Sequence, residues 1–242
     1  TICTIKGRRR KLLQGKCTRL PFAIMRKLIL DLCGGTGAWS KPYRDAGYDV
    51  EVITLPAYDV TKVVFSDHAI EFLRLDVDYL DSRTVLYDDV YGILAAPPCT
   101  EFSLAKAGAP RDFESGVEVM QACLKIIWQC RIHTKLAFWA LENPVGFMRQ
   151  FMGRPHFTYE HWQFGDMQIK PTDIWGYFKE PAASVKIKPQ GMTKRYANGR
   201  TNCNTWCNAN CPDEYKGMGL NRAAIRAITP PGFANAFYRV NK

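Results

Sequence analysis

The chain of 242 residues lacks any long apolar run and is poor in acidic residues and histidine. No apolar run approaches the ~20 residues that a membrane-spanning helix needs, so an integral membrane protein is not expected. Residues 1–26 are basic and contain no apolar core of the kind a secretion signal has, which predicts a cytoplasmic protein. Nine cysteines without such a signal favour reduced thiols, catalysis or metal binding over a disulfide framework.

The shortage of acidic residues leaves a strong positive charge. The chain has 33 Lys and Arg against 23 Asp and Glu, a formal net charge of +10. Such an excess favours a polyanionic partner, although a basic soluble protein without one has the same balance. Residues 6–11 concentrate this charge and would add salt-dependent affinity for phosphates, or else form a solvated tail.

Alternating strand-like and helix-like patterns predict the fold class. Apolar runs predict strands over residues 27–33, 50–55, 90–95 and 136–141, with a shorter one near 73–77. Helical patterns occur over residues 40–46, 114–134 and 221–240, the last interrupted by Pro230 and Pro231. This order predicts an α/β fold with a doubly wound, mostly parallel, Rossmann-like sheet.

The same patterns suggest three regions in the chain. A catalytic domain is expected over residues 27–176 together with 221–242. Residues 1–26 form a basic N-terminal segment, and residues 177–220 form a small irregular recognition region that contains a cysteine cluster. We expect the protein to be a monomer.

Three motifs follow directly on predicted strands. These are the glycine-rich segment Asp31–Gly37, the loop Pro97–Cys99, and the segment Glu142–Pro144. Ligands bind at the carboxyl edge of an open α/β sheet, so the three motifs are expected to meet there. The glycines permit close approach of backbone to a ligand, or serve the turn alone.

Cys99 and Glu142 are the candidate reactive groups. A thiolate adds to electron-poor carbons, whereas a free cysteine is more often a small buried hydrophobe. The two prolines before Cys99 favour an exposed loop over a packed interior. A carboxyl group after an all-apolar strand is costly unless it is satisfied or functional, and it could equally cap a helix or form a buried salt bridge.

In their order and spacing, these three motifs resemble those of the cytosine-C5 DNA methyltransferases, most closely the small phage-type members. The resemblance covers residues 27–178 and 221–240. It implies double-stranded DNA as partner, S-adenosyl-L-methionine as cofactor, and a target cytosine flipped out of the duplex. It also implies that Cys99 attacks ring carbon C6, that Glu142 holds N3 and the exocyclic amine, and that Asn143 positions the loop.

The resemblance also implies a cofactor site. Cys33 stands where the family usually has a Phe that packs on adenine, and the acidic residue expected to bind the ribose is not evident after the second strand. Leu55 and Pro56 occupy that place, so Glu51 or Asp59 would have to serve. The expected cofactor residues are Asp31, Cys33, Gly35, Gly37, Trp39, Asp76, Val77 and Pro97.

Residues 168–172 resemble the family's Gln-x-Arg-x-Arg segment, which lies near the cytosine. Lys170 replaces the first arginine and would contact the base carbonyl or a flanking phosphate without arginine's two-point grip; otherwise it is an ordinary exposed lysine. It is therefore both a catalytic and a nucleic-acid-binding candidate. The other nucleic-acid-binding candidates are Thr172, Arg195 and Arg200, of residue types that contact phosphates and base edges.

Arg226 and Ala227 take the place of a Gly-Asn pair that usually precedes the family's closing motif, here residues 228–234. A cation beside the transferred group would suit a modified, for example carboxylated, cofactor, whereas an ordinary surface arginine would serve no such purpose. The same covalent chemistry could also act on RNA or a free nucleotide. A catalytically idle DNA-binding protein that keeps the fold is a third reading of the chain.

Three closely spaced cysteines suggest a metal site in the recognition region. Cys203, Cys207 and Cys211 have a spacing that suits structural zinc, which needs four ligands, but free thiols or a disulfide fit the same pattern. A fourth ligand would have to come from elsewhere in the chain, from Cys3, Cys17, His156 or His161.

Overall fold

The computed structural model describes residues 27–77, 81–106, 108–166, 169–190 and 211–242, and the backbone alone of 193–195 and 201–203. The strands are β1 (Leu28–Leu32), β2 (Asp49–Ile53), β3 (Tyr58–Phe65), β4 (Ala69–Arg74), β5 (Ser82–Leu86), β6 (Val90–Ala95), β7 (Phe138–Pro144), β8 (Phe157–Glu160), β9 (Pro171–Tyr177), β10 (Thr193–Arg195) and β11 (Thr201–Cys203). The helices are α1 (Lys41–Asp45), α2 (Phe113–His133), α3 (Met148–Met152), α4 (Arg222–Ala227) and α5 (Pro231–Val240).

A six-stranded, mostly parallel sheet organises the fold, in the order β2-β1-β6-β7-β9-β8. Strands β2, β1, β6 and β7 are mutually parallel, whereas β9 runs antiparallel to both β7 and β8. The chain places β2 on one side of β1 and later returns to place β6 on the other side. The gap between the ends of β1 and β6 is therefore a topological switch point, where open α/β sheets bind ligands.

Helices cover both faces of this sheet. Alternate residues of β1 point to opposite faces, so Leu30 packs in a core cluster with residues of α2, whereas Ile29 packs in a second cluster with residues of α1 and α5. Burying one such side chain contributes about 1.5–3 kcal/mol. The arrangement confirms a mixed α/β fold and is compatible with the expected Rossmann-like type. Within the described ranges, no helix combines the length and the apolar character that crossing a bilayer requires.

The strands that lie in the centre of the sheet agree best with the sequence patterns. Strand β6 has the predicted bounds, and β1, β2 and α2 agree within one or two residues at each end. Strand β7 continues through Pro144, so Glu142 lies within the strand and not after it as expected, because β9 pairs with it as far as Pro144 and Thr172.

A three-stranded antiparallel sheet, β3-β4-β5, was not expected from the sequence. The strand predicted near residues 73–77 overlaps only the end of β4. Its strands are only partly buried and carry polar residues between the apolar ones, so their apolar signal is weak. Their buried side chains, among them Ile70 and Phe72, extend the core cluster on the α2 face of the main sheet.

Gly176 holds β9 close to β7, and its replacement should separate them. Its φ is +148°, and a Cβ atom there would lie 2.1 Å from the Trp139 carbonyl oxygen. We expect Gly176→Ala to lower the free energy of unfolding by about 2 kcal/mol or more, through backbone strain and overpacking. Urea denaturation measures this change.

The matched control is Gly165→Ala. Gly165 also has a positive φ, +92°, but a Cβ there meets no atom within 4 Å. Gly165→Ala should therefore lower the free energy of unfolding only by the cost of a left-handed backbone conformation, about 1 kcal/mol. Equal losses in the two variants would contradict the close approach at Gly176.

Candidate active site

A cavity of about 680 Å³ opens at the switch point, between the carboxyl ends of β1, β2, β6 and β7. Its volume lies in the range of small-molecule sites. The three motifs meet here as expected, since Gly35, Pro97, Cys99 and Glu142 all line the same cavity. The parallel register brings them together, because residues that follow neighbouring parallel strands emerge at one edge.

The glycine-rich turn is folded around the Asp31 carboxylate. One oxygen of this fully buried side chain accepts a hydrogen bond of 2.5 Å from Ser40 Oγ. A Cβ atom on Gly34 would lie 2.3 Å from the carboxyl carbon, so the carboxylate leaves room for no other residue. Gly35 and Cys33 both have φ of +56°, and Cys33 is the one non-glycine residue in the described part of the chain with positive φ.

Asp31 has an unsatisfied oxygen at the cavity. Burial raises the pKa of this carboxyl to about 6, although the hydrogen bond from Ser40 and the positive charge of Arg44 both act to lower the pKa. Asp31 Oδ1 and Trp39 Nε1 are buried, lack partners among the described residues, and belong to side chains that line the cavity. A ligand that brings an ammonium or N–H group to this end would satisfy the carboxylate.

The Cys99 loop is tied to β7. Asn143, which is buried, donates from Nδ2 to the Pro97 carbonyl oxygen at 2.9 Å. Pro97 is buried, Pro98 is exposed and Cys99 is partly buried, and all three line the cavity. Of the two prolines, only Pro98 has the exposure expected of this loop, and the hydrogen bond from Asn143 links β7 to the loop that carries Cys99.

Electrostatics at Cys99 keep the sulfur protonated at rest. Burial raises the pKa of the thiol, and the charge of Glu142 adds to this rise. The positive charges of Lys170 and Arg226 act in the opposite direction but do not overcome burial. A further cation bound in the cavity would lower the pKa of Cys99 and favour the reactive thiolate.

The surroundings of Glu142 shift the pKa of its carboxyl upward. Burial raises the pKa of its carboxyl; Lys170 opposes the rise and Asp173 adds to it. Asp173 is itself fully buried and forms a two-point ion pair with Arg149, at 2.6 and 2.7 Å. A neutral carboxyl at the cavity wall can donate a hydrogen bond to an acceptor nitrogen of a bound ring.

Of two candidate residues around β9, Lys170 lies at the cavity and Thr172 lies in the interior. Lys170 lines the cavity, as expected, and donates from Nζ to the Arg226 carbonyl oxygen at 3.3 Å. Thr172 is fully buried: its Oγ1 lies 3.3 Å from His161 Nε2 and donates to the Lys170 carbonyl oxygen at 3.1 Å. The expectation that Thr172 contacts nucleic acid is wrong, because its side chain faces the interior of the protein.

The acidic residues that the resemblance assigns to the adenine and ribose of the cofactor do not line the cavity. Asp76 is exposed and pairs with Arg74 at 2.7 Å, which lowers the pKa of Asp76, and neither it nor Val77 is part of the cavity wall. Glu51 pairs instead with Arg83, and Asp59 accepts hydrogen bonds from Thr61. Asp59 lies in the antiparallel sheet that follows β2 and Asp76 lies just after its strand β4, whereas Glu51 lies in β2 itself and is engaged by Arg83.

Several other residues line this cavity, and the sequence motifs did not indicate them. They come from the end of β2 and the residues that follow it, and from α4 and the segment before it, for which closeness to the motif at residues 228–234 was the one sequence signal. These residues are Val52, Thr54, Ala57, Met218, Leu220 and Ala224.

The remaining expectations fall largely outside the described residues. Arg195 is described by its backbone alone, in β10, and Arg200 lies outside the described ranges. Cys207 and the side chain of Cys203 also lie outside them, so the zinc hypothesis stays a prediction. Among the described residues, Cys211 is a free, partly buried thiol, and no group of three His, Cys, Asp or Glu could hold a metal ion.

No protein-family model matches the sequence, and a comparison with curated proteins finds no significant match. The chemistry of the cavity therefore rests on its own groups. These are the Cys99 thiol, the Glu142 carboxyl, the Lys170 ammonium group and the Asp31 carboxylate, one oxygen of which has no partner among the described residues.

Asp31 should make the stability of the protein depend on pH. Its pKa is raised from 3.8 to about 6 on folding, so the folded state binds more protons than the unfolded state between these values. The free energy of unfolding should therefore fall as pH rises from about 4 to 6. In Asp31→Asn this contribution is absent, which urea denaturation across that pH range measures.

Asp76→Asn is the control of opposite sign. The pKa of Asp76 is lowered on folding, so its contribution is lost as pH falls, and it is smaller because the pair with Arg74 is exposed. Identical pH profiles for wild type and Asp31→Asn would show that Asp31 ionises normally in the folded protein.

Proposed function

We propose that this protein is an S-adenosyl-L-methionine-dependent DNA methyltransferase that acts on C5 of cytosine through a covalent bond between Cys99 and C6 of a flipped base. The observation that carries the proposal is that Cys99, Glu142 and the glycine-rich turn line a single cavity at the switch point of the sheet. The mixed α/β architecture agrees with a methyltransferase fold of Rossmann-like type.

Cys99 and Glu142 supply complementary parts of the reaction. C5 of cytosine is a poor nucleophile until a bond at C6 breaks the aromaticity of the ring. Cys99 loses its proton to solvent and bonds to C6 as the thiolate, while N3 takes a proton from Glu142. The displaced electron pair then makes C5 an enamine carbon that can accept a methyl group. Loss of the C5 proton to solvent reforms the C5–C6 double bond and expels Cys99, and the N3 proton returns to Glu142.

The turn residues suit the amino-acid end of the cofactor. S-adenosylmethionine supplies an electrophilic methyl group when bound, and it carries an ammonium group and a sulfonium charge. The orphaned oxygen of Asp31 would accept from the ammonium group, and the open space at Gly35, where a Cβ atom would meet no atom within 4 Å, admits close approach of a ligand to the backbone. A sulfonium charge in the cavity would also lower the pKa of Cys99, which burial otherwise raises.

The adenine end would be held differently from the resembled family. The wall there is formed by Val52, Thr54, Leu55 and Pro56, and Cys33 supplies a small thiol in place of an aromatic ring. Adenine would rest on apolar side chains, with Thr54 as a polar group nearby.

A DNA partner is supported by charge. The net charge of +10 and the position of Lys170 at the cavity favour a polyanion at this edge of the sheet. A base must leave the duplex to reach a partly buried thiol, as enzymes that modify bases require.

The covalent step can be trapped. Duplex DNA of random sequence that contains 5-fluorocytosine should form a stable adduct with the protein, because fluorine at C5 blocks the elimination that frees Cys99. We expect the adduct only when S-adenosylmethionine is present, and none with Cys99→Ala. Denaturing gel electrophoresis and peptide mass spectrometry detect it.

Cys211→Ala is the matched control, since Cys211 is also a free, partly buried thiol but does not line the cavity. It should form the adduct as the wild type does. An adduct in Cys99→Ala, or none in the wild type with cofactor, would overturn the proposal. RNA or free cytidine nucleotides that compete better than DNA would reassign the substrate.

Asn143 should act by positioning Cys99. Asn143→Asp keeps the size of the side chain but removes the donor to the Pro97 carbonyl oxygen. We expect adduct formation at saturating cofactor to slow about 10- to 100-fold, while the affinity for S-adenosylmethionine stays within about twofold. Single-turnover kinetics and equilibrium cofactor binding measure the two effects, and an equal loss in both would indicate general unfolding.

A further inference from the structure

Two cysteine sulfurs meet at the wall of the cavity. Cys33 Sγ lies 3.9 Å from Cys123 Sγ, although 90 residues separate the two cysteines in the chain. Both are free thiols; Cys33 follows β1 and lines the cavity, whereas Cys123 is fully buried in α2. One thiol of the pair is therefore open to the cavity, and the other is enclosed by the core.

The backbone holds both cysteines in place. The Cys33 N–H donates to the Ile53 carbonyl oxygen at 2.8 Å, and Cys123 lies at the middle of a helix of 21 residues. A disulfide brings two sulfurs to about 2 Å, so the change that remains is small enough for rotation of the two side chains. The pair can therefore be cross-linked without moving a strand or a helix.

Cys33 adopts a backbone conformation that costs free energy for any residue except glycine. Its φ is +56°, in the left-handed region, although the residues on either side of it do not require this side chain to be a thiol. An outlier of this kind at a cavity wall is typical of functional sites. The methyl-transfer chemistry proposed above uses no thiol at this position.

We propose that Cys33 and Cys123 form an oxidation site, at which a small hydroperoxide that enters the cavity converts the two thiols into a disulfide. The Cys33 sulfur bonds to one peroxide oxygen, the O–O bond breaks, and the Cys33 proton passes to the departing oxygen, which leaves as water or an alcohol. Cys33 is then a sulfenic acid. The Cys123 sulfur bonds to the Cys33 sulfur, and the hydroxyl group leaves with the Cys123 proton as water. Two thiols are oxidised and one hydroperoxide is reduced.

The surroundings assign different parts of this reaction to the two sulfurs. The hydrogen bond with Cys33 and burial both raise the pKa of Cys123, which is enclosed by the core and does not meet an oxidant directly. Cys33 is only partly buried and lines the cavity, so it is the sulfur that a peroxide reaches. Cys33 is therefore the attacking residue, and Cys123 is the residue that resolves its sulfenic acid.

Peptide mapping tests the oxidation site. The folded full chain is treated with hydrogen peroxide, its remaining thiols are alkylated, and it is digested with trypsin. The tryptic peptides 28–44, 84–106 and 112–125 each carry a single cysteine, which is Cys33, Cys99 and Cys123 respectively. We expect peptide 28–44 to be linked to peptide 112–125, and dithiothreitol to separate them. In Cys123→Ala the link should be absent, and dimedone should trap Cys33 as the sulfenic acid.

Cys130→Ala is the matched control. Cys130 is also a fully buried cysteine of α2, and burial raises its pKa to about 12. This variant should form the link between peptides 28–44 and 112–125 to the same extent as the wild type. A link from peptide 28–44 to peptide 84–106 in its place, or no linked pair in the wild type at any peroxide concentration, would overturn the proposal.

Thermal unfolding provides an independent measurement. A disulfide between cysteines 90 residues apart restrains the unfolded chain, so the oxidised wild type should melt roughly 5–15 °C above the reduced protein. Peroxide should not raise the melting temperature of Cys33→Ser. A linked wild type that melts below the reduced protein would show that the disulfide forms only by distorting the fold, and that the proposed site is wrong. Neither measurement uses DNA or S-adenosylmethionine, so both are independent of the adduct experiment.

Discussion

The parallel register of β1, β6 and β7 is the constraint on which the site depends. Leu32 lies opposite Ala95, and Ala95 lies opposite Leu141, so the residues that follow these positions emerge at one edge. A slip of one residue would turn Glu142 to the other face of its strand and remove it from the cavity. The apolar side chains that fill both faces of the sheet oppose such a slip, so the packing of the core sets the position of the reactive groups.

The cavity combines two buried acids with one cation, Lys170, whose charge lowers the pKa of Glu142 against the effect of burial. Burial raises the pKa of both Asp31 and Glu142, and Asp31 also has a buried oxygen without a partner among the described residues. A cationic ligand would therefore be drawn to the Asp31 end, and a neutral ring to the Glu142 end. The electrostatics thus divide one cavity into regions for two kinds of chemical group.

The sequence predicted the centre of the site better than its periphery, for physical reasons. Strand β6 is buried on nearly every residue, and its continuous apolar run marked both its bounds and the position of Cys99. Strand β9 carries polar residues that are buried, and its pairing with β7 was not visible in the pattern; the end of β7 and the burial of Thr172 were therefore misjudged. Asp76 was assigned by resemblance, but the unforeseen antiparallel sheet determines where it lies.

The acids expected to bind ribose and adenine are engaged in ion pairs or hydrogen bonds away from the cavity, whereas Cys99, Glu142 and the glycine-rich turn line it. Specific polar contacts to a cofactor would then come mainly from Asp31 and the turn, and the adenine end would contribute apolar burial. Under the proposed function, affinity from apolar burial would depend on surface area more than on hydrogen-bond geometry, so we expect substitutions at the adenine end to cost less than substitutions of Cys99, Glu142 or Asp31.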